Sequence, residues 1–198
     1  MSDNKSFAGI VQENFLDQDI CRFIVSIVQH ISWDRTQADS YWNDRVCSVR
    51  LLKQQVSCGE DIELLFSGIA SQVNRVFSSH FSRTDLHPDT FDVVRWPNGS
   101  SQPPHSDAYK NDGTSNGLSH RLYGSLIYLN QSFYGGETYY PNPGFSVKPK
   151  IGTLVIHPGD LLHLHGVTEV NHGTRYTIAG FWTTDTSKSI SLNHSMGT

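Results

Sequence analysis

The sequence predicts a mainly β fold, in which a helical first third precedes a double-stranded jelly roll. Two segments in that third show the apolar spacing of amphipathic helices. From Phe91 onward the sequence consists of short β-rich runs that are separated by Gly, Pro and Asn. Eight such runs fit the strand number of a jelly roll.

The first predicted helix follows Asp17, which is a plausible N-cap residue. The second begins near Gly59 and Glu60, and residues 45–52 between the two helices predict a strand. Apolar side chains at i, i+3, i+4 and i+7 give each helix one face for core packing. These side chains are Ile20, Phe23, Ile24, Ile27, Val28 and Ile31, then Ile62, Leu65, Ile69, Val73, Val76 and Phe77.

The eight predicted strands lie between turn residues in the second half of the chain. They cover residues 91–96, 104–108, 122–129, 137–140, 145–148, 153–157, 165–170 and 175–183. The segment 110–119 (KNDGTSNGLS) is polar and glycine-rich, and it predicts either a mobile lid or a plain hairpin loop.

Length and composition suit a single catalytic domain of 198 residues. We expect a helical support region with a strand over residues 1–88, the jelly-roll core over 89–185 and a C-terminal tail over 186–198. With 37% hydrophobic and 17% charged residues the chain is typical of globular proteins. The net charge of −4 and the absence of a basic cluster argue against a nucleic-acid partner.

The first residues lack the apolar stretch of a secretory signal, and no apolar run approaches the roughly 20 residues of a membrane span. We therefore expect a cytoplasmic protein without a membrane partner. An odd number of cysteines without a CxxC pair predicts three reduced thiols, at Cys21, Cys47 and Cys58.

Metal-binding chemistry is first indicated by His105 and Asp107. Two residues apart on a strand, they would project to the same side and could hold two corners of a coordination polyhedron. The third ligand would come from the histidines downstream. The candidates are His120, His157, His163, His165, His172 and His194.

An antiparallel strand pair could bring one of these histidines and Arg175 into the same cavity. Two histidines and one carboxylate form a facial triad, which leaves positions open and is associated with non-haem Fe(II) oxygenases. A guanidinium matches a carboxylate of a 2-oxo acid through two parallel hydrogen bonds.

Four segments in order resemble the catalytic domain of 2-oxoglutarate/Fe(II) dioxygenases, specifically the prolyl 4-hydroxylase group. They are PPHSD (103–107), RLYGSLIYLN (121–130), GGETYYP (135–141) and HGVTEVNHGTRYTIAGFW (165–182). This resemblance implies a double-stranded β-helix core with the N-terminal helices packed on its major sheet.

The resemblance also implies the site. His105, Asp107 and His165 correspond to the catalytic iron ligands. The rival His163 lies two residues earlier, but His165 has the family's spacing to Arg175. Arg175 corresponds to the residue that pairs with the C5 carboxylate of 2-oxoglutarate, where collagen-type relatives use Lys.

Further residues are carried over to the cosubstrate and substrate pockets. Tyr128 and Thr138 resemble cosubstrate-binding residues, whereas Trp96 stands where the family commonly has Tyr near the cosubstrate. Phe181 or Trp182 corresponds to the aromatic that closes the pocket. Arg121 resembles an arginine of the substrate groove. His120 and His157 are expected at the surface or behind the ligands.

The implied activity is hydroxylation of a prolyl residue in a peptide or protein. Fe(II) is the cofactor, 2-oxoglutarate and O₂ become succinate and CO₂, and ascorbate is the expected reductant. Two other readings remain open: a same-fold oxygenase of a free amino acid or other small molecule, and a non-catalytic or Zn-holding jelly-roll protein. Either a monomer or a homodimer is compatible with the sequence.

Overall fold

The structure is a computed structural model that describes residues 7–190. Residues 191–198 of the predicted tail and the first six residues of the chain lie outside that range. Three α-helices precede most of the strands. They are α1 (Gln18–Val28), α2 (Val49–Gln55) and α3 (Gly59–Phe81).

Twelve strands occur in the described part of the chain. They are β1 (Ile10–Gln12), β2 (Val46–Cys47), β3 (His87–Trp96), β4 (Gln102–His105), β5 (Tyr123–Tyr128), β6 (Tyr134–Gly135), β7 (Thr138–Tyr140), β8 (Phe145–Val147), β9 (Leu154–Pro158), β10 (His165–Val167), β11 (Val170–Asn171) and β12 (Arg175–Thr183). Short 3₁₀ turns lie at Ser40–Trp42 and Leu161–His163.

The strands form two facing sheets. A six-stranded antiparallel sheet, the major sheet, has the order β1-β9-β5-β12-β3-β2. A four-stranded sheet, the minor sheet, has the order β4-β10-β7-β8, and β11 pairs with β6 separately. The predicted jelly-roll core is confirmed. Each of the eight predicted segments contains a strand, although the strand predicted over residues 104–108 ends at His105 and residues 165–170 divide into β10 and β11.

Both predicted long helices are confirmed, and local chemistry explains where they begin and end. Asp17 caps α1, because its side chain accepts a hydrogen bond of 2.7 Å from the Asp19 N–H. α3 ends at Ser82, which adopts the left-handed conformation with φ of 52°. None of the described helices is long and apolar enough to cross a membrane.

The predicted strand over residues 45–52 is wrong for most of its length. Only Val46 and Cys47 pair with β3, and α2 begins two residues later. Ser48 explains the switch: its hydroxyl accepts a hydrogen bond of 3.2 Å from the Leu51 N–H and so caps the new helix. The strands β1 and β6 were not predicted, since each is only two or three residues long.

The main core lies between the helices and one face of the major sheet. Phe66 and Phe77 of α3 pack there against the sheet residues Phe91 and Trp182. Successive strand residues point to opposite faces, so the alternate residues of β12 face the minor sheet instead. That alternation leaves Arg175, Thr177, Ala179 and Phe181 to line a cavity between the two sheets.

Candidate active site

His105, Asp107 and His165 come together on the side of the cavity that the minor sheet forms. β10 and β4 are antiparallel with His165 opposite His105, and Asp107 follows in the bend after β4. One ligand atom from each residue lies within 4.8 Å of the others. The Asp107 Oδ1 atom is 3.6 Å from His165 Nε2 and 4.0 Å from His105 Nε2.

The prediction that His105 and Asp107 share a strand is wrong, because β4 ends at His105. Ser106 creates the turn instead. Its hydroxyl donates a 2.6 Å hydrogen bond to the Gly159 carbonyl and accepts one of 3.3 Å from the Ala108 N–H. The turn buries Asp107 and points it at the two imidazoles.

Each of these imidazoles presents Nε2 to the centre of the cluster. His105 Nδ1 lies 3.2 Å from the Pro103 carbonyl, and His165 Nδ1 lies 3.2 Å from the His163 carbonyl. A carbonyl can only accept, so Nδ1 carries the proton and the Nε2 lone pair is free. Burial lowers the pKa of His165 to about 3, which keeps this ring neutral.

This donor set fits a divalent metal ion. Among the described residues, Asp107 Oδ2 is a buried oxygen without a hydrogen-bond partner. A buried, ionised oxygen without a partner is costly unless a cation compensates it. Two neutral imidazoles and one carboxylate supply the mixed nitrogen and oxygen ligands of a facial Fe(II) triad.

The second feature of the cavity is a buried cation, Arg175, on β12. Its Nη2 donates a 3.2 Å hydrogen bond to Thr138 Oγ1, and its Nε has no partner in the described chain. The Arg175 guanidinium carbon lies 5.3 Å from the Trp96 ring centroid and 5.1 Å from that of Tyr128. Burial lowers the pKa of Arg175, and no carboxylate of the described residues counteracts this.

Tyr128 and Thr138 complete the surroundings of the arginine. The Tyr128 hydroxyl and Thr138 Oγ1 are 2.7 Å apart, and both side chains are buried. A buried guanidinium with unused donors, next to two hydroxyl groups, is suited to bind a carboxylate.

The triad and Arg175 line one cavity of about 390 Å³. This size is sufficient for a small dicarboxylate and part of a larger ligand. The same cavity therefore offers a metal site on the minor sheet and a carboxylate site at Arg175 on the major sheet.

The model of the 2OG-Fe(II) oxygenase superfamily matches residues 91–183, the segment that contains the triad and Arg175. The match covers 93 of the 198 residues, just under half of the chain. The superfamily uses Fe(II) and 2-oxoglutarate, for which the cavity has the metal ligands and the cation described above.

Known relatives of this oxygenase lie among the prolyl hydroxylases. "Probable prolyl 4-hydroxylase 6" of Arabidopsis thaliana is 28% identical over 112 residues, which cover 46% of this chain and 38% of the plant protein. The matched part of the oxygenase thus spans well under half the length of that relative.

Solved structures show the same fold at low identity. The 2OG complex of the collagen prolyl hydroxylase vCPH from Paramecium Bursaria Chlorella virus-1 has a TM-score of 0.67. It is 14% identical, and the match covers 95% of this chain and 98% of that chain. A Trichoplax adhaerens prolyl hydroxylase in complex with a hypoxia inducible factor peptide has a TM-score of 0.65 at 19% identity, with 92% and 86% covered.

Arg121 of the oxygenase lies at the opposite end of the cavity from Arg175. Its Nε donates a 2.6 Å hydrogen bond to Asp89 Oδ2, and its guanidinium stacks 4.0 Å from the Phe181 ring centroid. Of the two aromatic candidates for closing the pocket, Phe181 lines the cavity, whereas Trp182 is buried in the helix-facing core.

The rival ligand His163 is directed elsewhere. It ends the 3₁₀ turn, and its Nδ1 is 2.7 Å from Asp160 Oδ1. The segment 110–119 is held at Asn116, whose Nδ2 donates a 3.1 Å hydrogen bond to the Asp107 carbonyl and whose N–H donates one of 3.4 Å to the Ala108 carbonyl. Asn116 and Leu118 line the cavity, so this loop forms part of its wall.

His157 was expected at the surface or behind the ligands, and the structure places it behind them. Its ring is buried directly behind the triad, 4.1 Å from the His165 ring centroid to centroid. The signal was the alternation on β9: Leu154 and Ile156 face the helices, which turns Val155 and His157 towards the cavity side. Gly124 and Asp92 also line the cavity; Gly124 lies within the segment 121–130 but was assigned no role, and Asp92 lies outside the four matched segments.

Proposed function

We propose that the protein is an Fe(II)/2-oxoglutarate dioxygenase that hydroxylates a prolyl residue in a peptide or protein. 2-Oxoglutarate and O₂ are converted to succinate and CO₂. The observation that carries the proposal is the pairing of Arg175, a buried cation with unused donors, with the His105–Asp107–His165 cluster in one cavity. A plain metal-binding protein has no need of such a cation, because burying an unpaired charge is costly.

In this proposal His105, Asp107 and His165 hold the iron, which supplies the O₂ activation that no protein side chain can provide. Asp107 contributes the single negative charge. The Nδ1 hydrogen bonds of the two histidines hold the rings in the orientation that ligation requires. The buried walls of the cavity exclude water from the reacting atoms.

Arg175 binds the far carboxylate of 2-oxoglutarate in this scheme. Its free Nε and the Tyr128 and Thr138 hydroxyls provide the hydrogen bonds. Trp96 packs against the guanidinium at the position where the family commonly has a tyrosine. Its indole N–H has no hydrogen-bond partner in the described part of the chain. This N–H gives the cosubstrate an additional donor from β3.

Peptidyl proline is supported as the substrate by what the relatives are. The plant relative is a probable prolyl 4-hydroxylase, and two of the structural neighbours are a collagen prolyl hydroxylase and a prolyl hydroxylase in complex with a peptide. Arg121 and Phe181 would then flank the target residue at the outer end of the cavity. Ascorbate is the proposed reductant.

The test is turnover of 2-oxoglutarate with Fe(II), with and without ascorbate, against proline-containing peptides and free L-proline. Succinate and a mass increase of one oxygen in the product are measured together. Asp107→Ala should lose turnover, whereas Arg175→Ala should raise the KM for 2-oxoglutarate at least about tenfold. Asp19→Ala, which removes an exposed carboxylate from α1, is the matched control.

Three results would contradict parts of the proposal. Wild-type turnover by Asp107→Ala would exclude this carboxylate as a ligand. Hydroxylation of free proline without any hydroxylation of peptides would assign the enzyme to small molecules. Failure of the wild-type protein to form succinate under all these conditions would exclude dioxygenase activity.

A further inference from the structure

Asp92 places a carboxylate at the outer end of the active-site cavity. It pairs with Ala179 across β3 and β12, four residues along the strands from the Trp96–Arg175 pair. At about 3.3 Å per residue, this separates Asp92 from Arg175 by roughly 13 Å along the sheet. The cavity therefore has a cation at its inner end and an anion at its outer end.

Asp92 also borders a second cavity, of about 770 Å³, on the side of α2. The second cavity shares Thr90 and Asp92 with the first, so the two meet at this point of β3. A ligand bound in the active site can thus extend past Asp92 towards α2. Beside Asp92, the small side chain of Ala179 leaves room, and Leu126 and Phe181 provide apolar walls.

The Asp92 carboxylate lacks a hydrogen-bond donor within residues 7–190, and its partial burial is the main reason why its pKa is raised to about 6. Arg121 is the nearby cation that opposes this effect. However, Arg121 already donates to Asp89 and stacks on Phe181.

The other charges around Asp92 make the deficit of positive charge larger. Asp89 on the same strand and Asp34 in the segment between α1 and β2 both raise the pKa of Asp92 further. In the second cavity, Lys53 is engaged by Glu60 and Glu63. Arg50 also lines that cavity, but it is not among the charges that influence the Asp92 pKa.

We propose that Asp92 is a specificity-determining residue that binds a cationic nitrogen of the substrate, an ammonium or a guanidinium group. The inference rests on the proposed function, since it assigns the substrate of the same cavity. A carboxylate that lines a cavity and lacks a partner is satisfied when a ligand brings the missing cation. The cation can be a basic side chain near the target residue of a peptide, or the α-ammonium group of a free amino acid.

Ligand pairs in which one member carries this charge and the other lacks it provide the test. One pair is a proline-containing peptide with Lys beside the proline and the same peptide with norleucine in place of Lys. The other pair is free L-proline and N-acetyl-L-proline. Binding to the Fe(II)- and 2-oxoglutarate-loaded protein without O₂ is measured by isothermal titration, and kcat/KM is measured in air.

We expect wild type to bind the cationic member of one pair at least about tenfold more tightly, as one satisfied charge pair predicts. Asp92→Asn and Asp92→Ala should reduce this ratio to near one, mainly through KM. The control Asp19→Asn should keep it. A preference within the peptide pair identifies a side chain as the source of the cation, whereas a preference within the proline pair identifies the α-ammonium group.

Equal binding of both members of each pair by wild type, or no binding of any of them, overturns the assignment. A preference that survives in Asp92→Asn overturns it as well. Failure of the Asp92 assignment can be distinguished from failure of the proposed function, because succinate formation and its dependence on Asp107 are measured without reference to substrate charge.

Discussion

The His157 ring packs on the His165 ring with 4.1 Å between the centroids, and its Nδ1 lies 3.8 Å from Asp107 Oδ2. His157 is thus in contact with two of the three proposed ligands without belonging to the cluster. It fills the space behind them, where an empty volume would allow both side chains to rotate away from the centre.

We expect His157→Asn to weaken divalent metal binding by about ten- to a hundredfold, the range typical of residues that orient metal ligands. The shorter side chain loses the ring contact that holds His165. Metal affinity can be measured by competition with a chromophoric chelator, using Co(II) or Fe(II) without O₂.

His30→Asn is the matched control for this variant. His30 is exposed after α1, where its Nδ1 lies 2.8 Å from the Ser26 carbonyl. This variant should bind the metal like the wild type. Unchanged affinity in His157→Asn would show that Asp107 and His165 keep their positions without the His157 ring.

Gly124 allows β5 to pass directly beside the triad. A Cβ at this position would lie 2.5 Å from His157 Cε1 and 2.6 Å from Asp107 Oδ2. Both distances are far below van der Waals contact, and neither neighbour is the free end of a flexible chain. We therefore expect Gly124→Ala to reduce turnover of 2-oxoglutarate more than tenfold, with the far-UV circular dichroism unchanged.

The control for this substitution is Gly68→Ala on α3. A Cβ at Gly68 has no neighbour within 4 Å. The change should leave turnover intact and raise the free energy of unfolding by about 0.5–1 kcal/mol, because glycine is unfavourable within a helix. Wild-type activity in Gly124→Ala would mean that Asp107 and His157 shift without cost.

The sequence was most informative where a local rule decides the outcome. The Asp17 cap and the apolar spacing of α1 and α3 depend only on neighbours in sequence, and both helices form as predicted. The strand predicted over residues 45–52 failed because the Ser48 cap outweighed the β-branched residues around it.

For the site, the resemblance to the family identified His105, Asp107, His165 and Arg175, which the structure brings together in one cavity. Asp92 and Gly124 were assigned no role, and His157 was expected only at the surface or behind the ligands, because the positions of these residues depend on strand register. That register pairs residues that are distant in sequence, such as Asp92 with Ala179 and Gly124 with His157, and no local pattern encodes it.

Arg175 is expected to lower the stability of the protein when no ligand is bound. Its guanidinium is buried without a carboxylate partner in the described residues, and burying a charge without a partner costs free energy. Arg175→Met should therefore unfold at the same temperature as the wild type or higher, in the absence of 2-oxoglutarate.

Addition of 2-oxoglutarate and Mn(II) should reverse this order. Ligand that binds only the folded state stabilises wild type by about 2.7 kcal/mol at a hundred times its Kd, and Arg175→Met should lose most of that gain. Differential scanning fluorimetry with and without 2-oxoglutarate measures both effects. An equal thermal shift in both proteins would exclude Arg175 as the carboxylate partner.

The raised pKa of Asp92 predicts a specific pH dependence of stability. Its pKa of about 6 in the folded protein exceeds the ordinary value of 3.8. Between these two values the folded state holds more protons than the unfolded state, so the free energy of unfolding falls as the pH rises. The full cost is present above pH 6 and disappears below about pH 4.

Asp92→Asn removes this cost because the amide does not ionise. We expect the variant to exceed the wild type in unfolding free energy by on the order of 1–2 kcal/mol at pH 7.5, a value reduced from the full shift because Asp92 opens onto a cavity. Urea unfolding at pH 4 should show almost no difference between the variant and the wild type.

Asp112→Asn should behave in the opposite way, since hydrogen bonds from Thr114 lower the pKa of Asp112 and stabilise its charged form. A constant difference between wild type and Asp92→Asn from pH 4 to pH 7.5 would show that the substitution acts through packing, and that Asp92 ionises in the folded protein as it does in the unfolded chain.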